Sequence, residues 1–88
     1  MHKGVTASGY AFAVDEGALN NMELVDALAE ATDDNPLAIS KTCELLLGKA
    51  ERKKMYDFLR DEHGRVPIEA VSQNLVEIFA TFGKQGKN

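Results

Sequence analysis

Several features that would advertise a function are scarce or missing. Cysteine occurs once, as Cys43, so no internal disulfide can staple the chain and its stability must come from packing or from partners. Histidine is nearly as rare: His2 and His63 lie far apart with only Cys43 between them, a spacing unlike that of a zinc site. Positive charge is in deficit, with ten Lys plus Arg against fourteen Asp plus Glu, a formal charge of −4 and a pI near 5.0. That balance leaves no field for gripping a phosphate backbone, so nucleic acid is not an expected partner. No apolar run approaches the roughly 18 to 20 residues of a membrane span. Met1-His2-Lys3-Gly4 leads into no signal-peptide core, so no membrane is expected and the cytoplasm is the expected location. There is no glycine-rich phosphate loop and no Ser or Cys in a nucleophile-elbow or papain-like setting. Carboxylates are plentiful, but they fall at helix caps and on solvent faces. The expectation is a protein that is not an enzyme, with no cofactor and no metal.

What is present suits a small globular module. Eighty-eight residues, 44% apolar and 27% charged, allow one domain with one core. The expected class is mainly α: an N-terminal strand or short hairpin followed by about four short helices. A tail over 1–4, a single helical domain over 5–82 and a flexible tail over 83–88 complete the organisation.

In residues 5–15, Tyr10, Phe12 and Val14 alternate with small residues, so the large side chains share one face of a strand. A lone strand leaves its backbone groups unpaired. It needs either residues 4–7 as a hairpin partner across Ala7-Ser8-Gly9 or a strand from another chain. Asn20 with Glu23 reads as a capping box, Leu19 and Leu24 as its staple, and Leu24, Val25, Leu28 and Thr32 as the stripe of a first helix over 21–32. Asp33-Asp34-Asn35-Pro36 breaks that pattern and opens a second helix, whose stripe is Ile39, Cys43, Leu46 and Leu47 and which Gly48 ends. Cys43 is expected buried and inert.

A third helix over 50–62 carries Met55, Tyr56, Phe58 and Leu59, with Arg52-Lys53-Lys54 as a solvated cluster and His63 and Arg65 as C-terminal capping residues. Val66-Pro67 opens a fourth helix. Its Ile68, Val71, Leu75, Ile78 and Phe82 recur at spacings of three and four, and Val76 and Phe79 widen the apolar face. Such a face serves either as core or in part as a contact for a partner.

Two local resemblances fail on chemistry. Residues 17–28 are similar to the prosthetic-group helix of acyl carrier proteins, yet Ala18 occupies the position of that family's modified serine and offers no nucleophilic oxygen. Residues 59–66 resemble a calcium loop, but placing Gly64 at the sixth loop position puts Leu59 first and Ala70 twelfth, so both principal carboxylates are lost.

A third resemblance covers most of the chain. The order Ser8-Gly9-Tyr10-Ala11-Phe12, an acidic helix, Asp34-Asn35-Pro36-Leu37, Glu44-Leu45-Leu46-Leu47-Gly48, Tyr56-Asp57-Phe58-Leu59-Arg60 and Gly64-Arg65-Val66-Pro67 resembles the tail assembly chaperones of long-tailed bacteriophages and prophages. It spans about residues 5–80, and its specificity lies in order and spacing, since each piece alone is an ordinary helix boundary. The resemblance implies a non-enzymatic protein that binds the tape measure protein, keeps it soluble and assists tail-tube subunits. It further implies homo-oligomers acting in the cytoplasm of the bacterial host and absent from the mature virion. On this reading Tyr10, Phe12, Ile78, Phe79 and Phe82 are the contact candidates, chosen for apolarity and position. A structural tail component and a small acidic adaptor are the alternatives, since both would need the same association surfaces.

Overall fold

The computed structural model describes residues 1–31 and 35–85, with side chains described to residue 82. The N-terminal strand is half of a hairpin: β1 (His2–Val5) pairs antiparallel with β2 (Ala11–Val14), with His2 opposite Val14 and Gly4 opposite Phe12. The turn is fixed by Gly9 N–H donating to the Thr6 carbonyl at 2.9 Å and by Thr6 N–H donating to the Tyr10 carbonyl at 2.9 Å. Gly9 sits at φ 95°, where a side chain would be strained, so the alternative of a strand borrowed from another chain is not needed. The expected tail over 1–4 is therefore corrected. Period-two alternation continues back through Thr6, Gly4 and His2, and both Thr6 and His2 are buried on the same face as Tyr10, Phe12 and Val14.

A 3-10 turn (Glu16–Leu19) follows, with the Asp15 carboxylate accepting from Gly17 N–H at 3.0 Å. Helix α1 (Met22–Ala31) begins one residue later than expected. Asn20 closes the 3-10 turn through its own N–H, and the α1 cap is Asn21, whose Oδ1 accepts from Glu23 N–H at 3.0 Å. Of the expected stripe, Leu24 is buried and Val25 is exposed, with Ala27 filling the inward position instead. Thr32, Asp33 and Asp34 lie outside the described residues.

The expected second and third helices are a single element, α2 (Pro36–Leu59), so there are three helices rather than about four. Asn35 caps it and Pro36 stands in its first turn. Gly48 adopts a left-handed, non-helical conformation, φ 79° and ψ 167°, and interrupts the helix where expected; a helical segment resumes at once beyond it, so that α2 is two segments joined across a kink. The helix stops at Leu59, short of Glu62, because Arg60 turns extended and Asp61 organises the loop. The Asp61 carboxylate accepts from His63 N–H at 2.9 Å and Arg65 N–H at 3.0 Å, while the Arg60 guanidinium donates to the Gly64 carbonyl at 3.0 Å. The side chains expected to cap this end, those of His63 and Arg65, are exposed, and the bonds of Arg60 and Asp61 instead hold the loop that follows the helix. Helix α3 (Ile68–Gln85) runs past Gly83, so the expected tail over 83–88 is helical to residue 85, and the rest lies outside the described residues.

The core joins Phe12 and Val14 of the hairpin to Leu24 of α1, Cys43, Leu46 and Met55 of α2, and Val71, Leu75 and Ile78 of α3. Each large side chain so removed from water contributes about 1.5 to 3 kcal/mol. No helix among the described residues is long and apolar enough to cross a membrane.

Candidate functional site

The five contact candidates sort themselves by burial. Tyr10 and Phe12 are 3% exposed and Ile78 is fully buried, so these three are core and present nothing to a partner. The reason is tertiary: the hairpin folds back over α3 and covers the face that the sequence left open. Phe82 is partly buried against His2, with ring centroids 4.2 Å apart, and belongs to the same seam. Phe79 alone of the five borders an open cleft.

Helix α3 thus has two flanks of different chemistry. On one, Asn74, Glu77 and Thr81 follow at i, i+3 and i+7 and grip the hairpin. Asn74 Nδ2 donates to Ser8 Oγ at 3.4 Å, Glu77 Oε1 accepts from Ala7 N–H at 2.7 Å, and Thr81 Oγ1 lies 2.7 Å from His2 Nε2. Because the Thr81 hydroxyl donates to the Ile78 carbonyl at 2.6 Å, it accepts from His2, and Nε2 carries the proton. Hydrogen bonds from Gln73 and from Ala7 N–H hold the Glu77 carboxyl below its ordinary pKa. A second clamp closes the hairpin from the α2 side. The Tyr10 hydroxyl donates to Glu51 Oε2 at 2.5 Å, and burial, followed by that bond, pushes the phenol pKa up.

On the other flank, Ser72, Leu75, Val76 and Phe79 of α3 face Leu28 and Ala31 of α1 and Ile39 of α2 across a cleft of about 280 Å³. Among the described residues no charged side chain lines it. Leu75 is buried at its floor, Leu28, Ile39 and Phe79 are half-buried walls, and Val76 stands 61% exposed at the rim. Leu28, Ile39 and Val76 were legible as apolar stripe residues; nothing in the sequence said that they would border an opening while Ile78, two positions on from Val76, would not.

Other places that could host chemistry are occupied structurally. A cavity of about 660 Å³ beside the 3-10 turn contains Asp15, Glu44 and Glu51, but Asp15 caps the turn and Glu51 holds Tyr10. Cys43 is fully buried, and burial raises its thiol pKa to about 11, so it is protonated at neutral pH and sheltered from solvent. Among the described residues no group of three or more His, Cys, Asp or Glu could hold a metal ion. What the arrangement can do is bind an apolar surface. The chain matches no protein-family model, no curated protein and no solved structure, so its functional reading rests on its own residues.

Proposed function

We propose that this chain is a non-enzymatic tail assembly chaperone of the long-tailed bacteriophage type, which binds the tape measure protein, keeps it soluble and assists tail-tube assembly in the bacterial host before leaving the particle. The observation that carries the reading is the cleft between α1 and α3, edged by Leu28, Ile39, Val76 and Phe79 and free of charged side chains among the described residues. A long helical client must hide an apolar stripe until tube subunits enclose it. A groove of this kind accepts such a stripe through residues spaced i, i+3, i+4 and i+7, with the acidic remainder of the surface keeping the complex dispersed. The order of motifs along the chain supports the same reading. Relative to the sequence expectation the contact set moves: Phe79 stays, Val76, Leu28 and Ile39 join it, and Tyr10, Phe12, Ile78 and Phe82 are assigned to the fold.

The test is co-expression with the tape measure protein of the same gene neighbourhood, with and without this chain. Soluble, co-purifying tape measure protein is the expected result, and Val76→Lys abolishes it while the variant remains folded by circular dichroism. A folded parent chain that neither binds nor solubilises that protein would sink the proposal.

A further inference from the structure

Helix α1 is bordered by a second groove, which it forms with the start of α2. That groove measures about 450 Å³ and shares no residue with the Leu28 cleft. Its floor is Ala27 and Ala38, both buried and both too small to fill the space between the helices. Around the floor stand Leu37, which is 81% exposed, and the carboxylates of Glu23, Asp26 and Glu30. Their spacing of three and four sets the carboxylates in a row about 10 Å long on one face of the helix.

Nothing in the fold asks for this arrangement. Like charges three and four apart on a helix repel, and α1 contains no lysine or arginine to offset them. Glu30 lies in the last turn, where the helix dipole favours a cation. Among the described residues none of the three carboxylates enters an ion pair, and Lys41 is the one base that lines the groove. Carboxylates elsewhere are put to use: Asp57 pairs with Lys53 and Arg60, Glu51 accepts from Tyr10, and Asp61 holds its loop. On α1, repulsion, dipole and an exposed leucine all work against the fold, and one kind of occupant relieves all three.

We propose that this groove is a second docking surface, and that its occupant is an amphipathic helix of another protein carrying Lys or Arg at i, i+3 or i+4, and i+7 beside an aliphatic residue. The bases meet the carboxylate row, and the aliphatic side chain lies over Ala27 and Ala38 against Leu37. The chain's net charge of −4 draws a basic partner toward it. A second copy does not supply such a strip, because Lys53 and Arg60 already share Asp57 and Lys54 faces Glu51. This surface is independent of the tape measure reading, since groove and cleft have no residue in common.

The test is an NMR titration of the whole isotope-labelled chain with a synthetic helical peptide that has leucines on one face and lysines flanking them. Amide shifts centred on Ala27, Leu37 and Ala38 are expected, with an affinity that falls by about tenfold or more from low to high salt, as partly exposed charge pairs require. Glu23→Gln, Asp26→Asn and Glu30→Gln together weaken binding by about tenfold or more. Glu16→Gln, Glu62→Gln and Glu69→Gln together remove the same charge from exposed positions outside the groove and weaken it by less than about threefold. Circular dichroism checks that each variant folds, and Glu30→Gln alone melts no lower than the parent chain. A peptide that does not bind overturns the proposal, as do shifts centred on Leu28 and Val76, equal loss in the two triple variants, or a lower melting point for Glu30→Gln. So do the same shifts appearing with rising protein concentration and no peptide, which would make a second copy the occupant.

Discussion

The two flanks of α3 are built from the same helix and differ in what they leave unfinished. Toward the hairpin, Asn74, Glu77 and Thr81 meet Ser8, Ala7 and His2, and the aromatic rings of Phe12 and Phe82 close on His2. Toward α1, Ser72, Val76 and Phe79 meet an opening. Polar groups specify one geometry, because a buried donor or acceptor without its partner is costly. Apolar walls specify only that something apolar should cover them. The contrast teaches that the hairpin flank is committed to the fold, whereas the cleft flank is left open by it.

That contrast can be broken by substitution. The largest effect is expected at Phe12, whose ring covers Gly4 so closely that a Cβ there would lie 2.7 Å from its Cζ. Phe12→Ala should cost about 3 to 5 kcal/mol in urea unfolding, the range for emptying a packed aromatic site. Asn74→Ala, at a fully buried position whose Nδ2 also donates to the Ala70 carbonyl at 2.8 Å, should cost about 1 to 3 kcal/mol. Thr81→Val leaves His2 Nε2 without its acceptor and should cost about 1 kcal/mol, with hydrogen exchange accelerating in β1 before it does elsewhere.

Acid gives a gentler probe of the same flank. The Glu77 carboxyl titrates below its ordinary value of 4.5, so its stabilising share is complete above that pH and is lost as pH falls through the folded value. The parent should therefore lose more stability than Glu77→Gln on going from neutral to acid pH. The smallest stability change is expected at Val76→Lys, within about 0.5 kcal/mol of parent, because the side chain is already in water. If Val76→Lys were as damaging as Thr81→Val, both flanks would be structural and the contrast would collapse.

How much of this was legible in the sequence follows from which signals are local. Alternation at Tyr10, Phe12 and Val14 announced β2, since period two needs only neighbours. Its partner β1 was obscured because His2 and Gly4 occupy the inward positions where an aliphatic pair would have advertised a strand. Gly48 was correctly read as a left-handed residue that interrupts the helix; what a positive φ does not say is that a helical segment resumes at once beyond it, joined to the first across a kink. The polar grip of α3 was invisible: Asn, Glu and Thr at i, i+3 and i+7 look like any solvent-facing row until a second element is laid on them. For the same reason the contact candidates were drawn too widely. An apolar stripe records that a face must be covered, and here the first fourteen residues of the chain cover much of it.

The seam between hairpin and α3 also bears on the order of events during synthesis. Its bonded partners are 66, 70 and 79 positions apart, so the hairpin is made well before the helix that completes its seam. A two-stranded hairpin is marginal by itself in water. A nascent chain halted before Asn74 would therefore carry β1 and β2 with α1 and α2 to pack against but without the polar grip of α3, and that side of the hairpin would stay open until α3 had been made.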